Sequence, residues 1–152
     1  MAGLGIPGLA AAGTLFQIGN LTSPESWQSV ANVSDITGPS LAATVVDVTS
    51  HTSPTIPWRQ KLVTLLDLGQ TTIKLFWYPT DPTQNNTPSS FVGGLRYIFI
   101  NRVKIPVRFL HVDGTYDSYW VFITKLTSNA PIAGVYSMDC TLEGTDNPLN
   151  IA

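Results

Sequence analysis

Four stretches of this chain alternate apolar and polar residues with a period of two, a rhythm that fits strands burying one face and little else. Over 71–78, Ile73, Leu75 and Trp77 point one way and Thr72, Lys74, Phe76 and Tyr78 the other. Over 105–112, Val107 and Phe109 alternate with Arg108 and Leu110, and over 117–124, Tyr119, Val121 and Ile123 alternate with Trp120, Phe122 and Thr124. The cleanest is 135–143, where Tyr136, Met138, Cys140 and Leu142 oppose Ser137, Asp139, Thr141 and Glu143. Asp113-Gly114 is a strong turn signal, so 105–124 is expected to be an antiparallel hairpin. Weaker runs at 14–18, 28–36 and 43–48 read as further strands.

Helix is scarce. One is expected from Pro57 to Leu68: proline suits a first turn, Trp58, Leu62, Leu65 and Leu66 fall at i, i+4, i+7 and i+8, and Gly69 ends the run. Over 91–100, Phe91, Leu95, Ile98 and Phe99 repeat that spacing, but Gly93-Gly94 weakens a helix and Tyr97 and Phe99 also suit a strand, so both readings stay open. The expected fold is mainly β, a β-sandwich or partial barrel with one or two short flanking helices, long loops and terminal arms. One domain of 1–152 is expected, with 1–13 as an N-terminal arm and 145–152 as a C-terminal tail. The tract 79–90, rich in Pro and Asn, also reads as unstructured, and 47–56 as a loop leading into the first helix.

Charged residues make up only 12% of the chain, about half the usual share, while the hydrophobic fraction is an ordinary 43%. A surface short of charge is poorly protected against self-association, a liability for a free monomer and an asset for a subunit of a polymer. The net charge of −2 gives no basic footprint for gripping nucleic acid; only Arg102, Lys104 and Arg108 come close together. The single cysteine, Cys140, excludes an intrachain disulfide. The apolar N-terminus lacks a preceding Lys or Arg and is broken by Gly3, Gly5, Pro7 and Gly8, so it reads as an arm rather than a signal peptide. No apolar run approaches the ~20 residues of a membrane span, and no membrane anchor is expected.

No constellation of chemical residues stands out. His111 and Asp113 share a strand face as i and i+2, yet a third ligand is missing and the pair reads as a solvated strand end. A Ser-His-Asp set drawn from Ser50 or Ser53, His111 and Asp113 has no placing device around it. Cys140 alternates in register with core positions and reads as a small hydrophobe. Gly93-Gly94 lacks the Lys-Ser/Thr of a phosphate loop. No catalytic, metal or cofactor-binding residue is expected.

The order of short motifs says more. Ile36-Thr37-Gly38-Pro39-Ser40, then Val46-Asp47-Val48-Thr49-Ser50, then Trp58 opening the expected short helix that closes at Gly69, resembles the tail tube (major tail) proteins of long, non-contractile-tailed phages. The later parts match in order as well: a strand after Gly69, a Pro/Asn-rich insertion with Asp81-Pro82, an aromatic strand ending at Asp113-Gly114, a Trp120-Val121-Phe122 strand and a last strand closing at Gly144. The resemblance covers roughly 14–148. It implies a structural virion protein that self-assembles into stacked, hexameric rings, whose strands join into a continuous inner barrel that conducts the genome. It implies no enzyme activity and no cofactor. Gly38, Pro39, Asp47, Thr49, Ser50 and Trp58 would be assembly residues, with the loop 47–56 and the arms 1–13 and 145–152 touching the next ring. Partners would be further copies of the chain and the tape-measure, tail-tip and tail-terminator proteins, with DNA passing through unbound. The place would be the virion tail, after assembly in the host cytoplasm. Asp139, Thr141 and Glu143 would form a polar face, either of the lumen or of the outer wall. The competing readings are another virion β-protein, such as a tail terminator or connector, and a carbohydrate-binding sandwich stacking sugars on Trp77, Tyr78 or Trp120.

Overall fold

The computed structural model describes residues 12–19, 26–52, 54, 57–88 and 92–152. The chain is mainly β. Strands β1 (Leu15–Gly19), β2 (Trp27–Ser29), β3 (Val33–Thr37), β4 (Ala42–Asp47), β5 (Lys61–Asp67) and β6 (Gln70–Phe76) precede helix α1 (Leu95–Ile100). Then follow β7 (Ile105–Leu110), β8 (Tyr116–Asn129) and β9 (Ser137–Asn150). Seven strands form one antiparallel sheet in the order β2-β1-β7-β8-β9-β6-β3, and β4 and β5 pair only with each other.

The two edge strands of the large sheet, β2 and β3, are joined by Val30, Ala31 and Asn32 alone. Six strand spacings would hold the edges of a flat sheet about 29 Å apart, whereas four extended chain steps from Ser29 to Val33 reach about 14 Å. The sheet therefore has to curl into a partial barrel, without closing. Val30 donates its N–H to Phe16 O of β1 (2.9 Å) and Asn32 O accepts from Phe76 N of β6 (2.9 Å), so the connector continues both edges. Asn32 takes a left-handed turn at φ 61°, a conformation asparagine tolerates well.

Inside the curl lies one core, built from the alternate positions of nearly every strand: Phe16 and Ile18, Ile73 and Leu75, Ile105, Val107 and Phe109, Tyr119 and Val121, Met138, Cys140 and Leu142. Phe16 stacks on Phe109 (5.3 Å between centroids), and Phe109 packs against Tyr119 (5.9 Å). The Tyr119 hydroxyl lies 2.5 Å from that of buried Thr71, which satisfies both groups away from water.

Several expectations need correction. The segment 57–68 is not a helix; Lys61–Asp67 is strand β5. Its apolar residues satisfy helical spacing, but no core lies against them to stabilise a helix, and Leu62 and the β-branched Val63 pair with Val46 and Val45 of β4. The loop 47–56 therefore joins two strands of a hairpin rather than leading into a helix, with Ser53, Thr55 and Ile56 outside the described residues. The tail after Gly144 is largely strand: β9 runs to Asn150, held by β8 and by Asn150 Nδ2 donating to Tyr116 O (2.6 Å). Run 28–36 divides into β2 and β3 at the Asn32 turn. Of the arm expected over 1–13, residues 1–11 lie outside the described residues, and Ala12 and Gly13 form a turn.

The tract 79–90 is built, not slack, as far as its described residues 79–88 go. Asp81 Oδ1 accepts from Thr83 N (2.8 Å) and Thr83 Oγ1 (2.6 Å). The carbonyls of Thr83, Gln84 and Asn85 accept the N–H groups of Leu95, Arg96 and Tyr97 (3.1, 3.2 and 3.3 Å). Those amides are the orphan donors of a helix start, and α1 has no side-chain cap. Gly94 allows this approach, because a Cβ there would sit 2.0 Å from Asn85 O. The open question over 91–100 resolves as a helix from Leu95, which drives Leu95 and Ile98 into the core.

Candidate assembly surfaces

Of the six expected assembly residues, four fall on the β4–β5 hairpin and two on the corner that leads into it. Gly38 and Pro39 make the corner at its base. Gly38 has φ 122° and packs so closely on β6 that a Cβ would meet Thr71 Oγ1 at 2.9 Å and Gln70 O at 3.0 Å. No other residue type turns the chain out of the sheet there without strain. Asp47, Thr49, Ser50 and Trp58 lie at the far end. Asp47 Oδ1 accepts from Thr49 N (2.9 Å), and Thr49 Oγ1 bridges across the hairpin, accepting from Gln60 N (2.6 Å). Val48 N also donates to Gln60 O (2.9 Å), and Asp47 faces Arg59 at 3.7 Å. The hydrogen bonds from Thr49, then the charges of Arg59 and Lys61, hold the Asp47 carboxyl below its ordinary range. Ser50 Oγ lies 3.2 Å from Thr52 Oγ1, and Trp58 is 77% exposed.

Between base and tip the hairpin is apolar on both faces and covered on neither. Val45 pairs with Val63, Val46 with Leu62 and Ala43 with Leu66. Leu41, Val48 and Leu65 are exposed as well, and Leu66 is 83% exposed. Summed over both faces, the uncovered apolar surface amounts to on the order of 1,000 Å², near the ~800 Å² that one partner contributes to a standard interface. Val63 and the strand pairing are concealed in the sequence because Leu62, Leu65 and Leu66 match one face of a helix. The adjacent valines Val45-Val46 opposite Leu62-Val63 were the available signal for a ribbon apolar on both sides.

A second surface is the convex polar face of the large sheet. Register sets Asp139 of β9 beside Lys74, Thr141 beside Thr72 and Glu143 beside Gln70 of β6, and Lys74 in turn beside Asp35 of β3. On the other side of β9, Lys125 pairs with Thr141 and Phe122 with Glu143, the face being restored after an irregularity between Ile123 and Lys125. This patch carries three carboxylates against two ammonium groups, and Lys74 is flanked on both sides by an aspartate.

Several other cations on the molecule are also occupied. Arg96 lies over the Trp77 ring (4.0 Å) and donates to Ser128 Oγ (2.8 Å). Arg108 sits between Trp27 (4.8 Å) and Tyr116 (5.3 Å) and donates Nε–H to Gln17 Oε1 (2.7 Å). Lys104 pairs with Asp146 beside Trp120. Trp77 and Trp120, two of the three candidate rings for a sugar platform, thus already carry a cation on a face.

The candidate residues for chemistry do not converge. His111 faces Asp117 (3.6 Å), not Asp113, whose carboxylate takes Thr115 N (3.0 Å) and Thr115 Oγ1 (2.7 Å). Those Thr115 bonds hold the Asp113 carboxyl below its usual range. Cys140 is buried, and that burial pushes its thiol up to about 12. Among the described residues no group of three His, Cys, Asp or Glu side chains is placed to hold a metal.

The family model described as "Lambda phage tail tube protein, TTP" matches residues 11–146. Among solved structures, the tail of an empty gene transfer agent particle matches with a TM-score of 0.69 at 18% identity, covering 94% of this chain and 100% of that one. A native gene transfer agent virion gives 0.69 at 16%, covering 93% and 97%. The sheath/tube terminator of the PVC extracellular contractile injection system gives 0.60 at 12%, covering 98% of each. Among curated proteins none matches by sequence. At such identities the structures speak for a shared fold, while the family match spans nearly the whole chain: this protein belongs to the lambda phage tail tube protein family, and its role is structural rather than catalytic.

Proposed function

We propose that the chain is the repeating subunit of a phage tail tube, six copies closing a ring and rings stacking into the conduit for the genome. The observation that carries this reading is the β4–β5 hairpin, an apolar arm of interface size that its own chain leaves bare. Six-fold closure is supported by the C6 symmetry of the gene transfer agent tail with the same fold. Gly38 and Pro39 act by aiming the arm, and Asp47, Thr49, Ser50 and Trp58 by shaping its tip for contact with neighbouring copies. The strand β9 continues past its last β6 partner, Gln70 opposite Glu143, and so offers an edge through which sheets of adjacent copies join into an inner barrel. The face of Asp35, Lys74, Lys125, Asp139, Thr141 and Glu143 lines the lumen. Its charges are interleaved and slightly negative, so a polyanion slides past without specific binding. Tape-measure, tail-tip and tail-terminator proteins meet the tube inside and at its ends, in a virion tail assembled in the host cytoplasm.

The test is negative-stain microscopy of the concentrated, purified protein. Long tubes of uniform width are the expected result. Single closed rings would favour a tail terminator, a reading that the likeness to the PVC terminator supports. A protein that stays monomeric at high concentration and binds glycans would overturn both.

A further inference from the structure

A ring closed by rotation uses a heterologous contact: two different patches of one chain, each complementary to the other. The β4–β5 hairpin is one such patch, convex and apolar. The second has to lie elsewhere on the same chain, and two recesses among those of the described residues are large enough to receive part of the arm. One, about 480 Å³, opens between the two edges of the curled sheet and is lined by Thr14, Ser34, Asp35, His111 and Asp117 together with Phe109 and Ile36. Leucines seated there would bury a carboxylate and an imidazole that water now reaches, a cost that an apolar arm cannot repay with hydrogen bonds. The other, about 500 Å³, lies where the end of α1 meets β8 and is lined by Phe99, Ile100, Phe122, Ile123 and Arg102. Phe99, Ile100 and Phe122 are all exposed although large and apolar.

We infer that this second recess is the socket for the arm of a neighbouring copy: Leu66 of one subunit fills the space between Phe99, Ile100 and Phe122 of the next. Charge supports the same pairing. Arg102 is the sole ionisable residue lining the recess, it is held in a left-handed conformation (φ 53°), and no described carboxylate forms an ion pair with it. Asp67 follows Leu66 directly; one of its oxygens accepts Gly69 N–H (2.9 Å), and the other faces no described cation within salt-bridge reach. With Leu66 in the socket, Asp67 meets Arg102. The arm and the socket each answer a need that the free chain leaves open. The inference rests on the proposed tube subunit and adds which surface receives the arm.

Two experiments test it. Assembled protein carrying Leu66→Cys together with Phe99→Cys is oxidised and run on non-reducing gels; buried Cys140 stays out of the reaction. A ladder of covalent oligomers is expected, absent from either single variant. Arg102→Asp is expected to reduce assembly at least tenfold in critical concentration, and Asp67→Arg in the same chain to restore it. Tubes that form normally, yet give no ladder and ignore Arg102→Asp, would overturn the socket while leaving the tube reading intact. A wild-type chain that forms no tubes would overturn the tube reading itself.

Discussion

Gln84 is the side chain on which closure of the curled sheet most depends. Its amide is fully buried, at 0% exposure. Oε1 accepts from Tyr78 N (2.9 Å), and Nε2 donates both to Ala31 O (2.7 Å) and to Phe76 O (3.1 Å). It therefore ties the connector between the two sheet edges to the end of β6. Gln84→Ala removes three hydrogen bonds at ~1 kcal/mol net each, and the orphaned groups add desolvation where water cannot follow. A loss of about 2–4 kcal/mol is expected, which for a chain of this size lowers Tm by roughly 5–15 °C. Gln84→Glu sharpens the test, since a carboxylate still accepts from Tyr78 but faces two carbonyls with no proton. It is expected to be at least as destabilised near neutral pH and to recover as acid protonates it. Scanning calorimetry of the two variants, with exposed Asn86→Ala as a control expected within ~0.5 kcal/mol of wild type, decides the matter. A drop under about 2 °C for Gln84→Ala, or a wild-type Tm for Gln84→Glu at pH 7, would refute the reasoning.

Tyr119→Phe is expected to cost ~1–2 kcal/mol by stranding the Thr71 hydroxyl, and adding Thr71→Val to recover most of that; denaturant melts of both variants check it. The Asp47 carboxyl is held below its ordinary value of 3.8 by the Thr49 hydrogen bonds and by Arg59 and Lys61. Its support of the hairpin tip is therefore present above 3.8 and lost as pH falls through the lower folded value. Exchange at Thr49 N–H should quicken only in that acid window, and Asp47→Asn should abolish the pH dependence. Asp139→Lys with Glu143→Lys is expected to leave tubes intact and to slow DNA passage, less so at high salt; ejection rates unchanged at low salt would remove this face from the lumen.

What could be read from the sequence tracks where the core lies. Strands β6 to β9 each bury one face, so Ile73, Leu75, Val107, Phe109, Tyr119, Val121, Met138 and Leu142 announce themselves by alternation. The β4–β5 hairpin buries neither face within its own chain. Both of its sides are apolar, alternation vanishes, and Trp58, Leu62, Leu65 and Leu66 match a helical spacing by coincidence. The strand end 145–150 was hidden by Asp146, Asn147 and Pro148, which resemble a turn; Asp146 does adopt φ 62°, as an irregularity within a strand that β8 holds on one side. The Gln84 staple was illegible because it joins residues 53 and 8 positions apart. Gly38, Pro39, Asp47 and Thr49 stand out in the sequence only through the resemblance, and the shared face of Asp139, Thr141 and Glu143 through periodicity.

A ribbon of two strands is marginal in water on its own, and that gives the arm a kinetic meaning. Strand pairing in β4–β5 and docking on a neighbour are linked equilibria, and a subunit whose arm is ordered only part of the time binds more weakly by that fraction. Two free subunits meeting in solution order one arm to gain a single contact. A subunit arriving at a growing end also orders one arm but finds several docking surfaces already set. Polymerisation then proceeds with a lag and from existing ends, so that seeds rather than concentration alone decide where and when a tube begins.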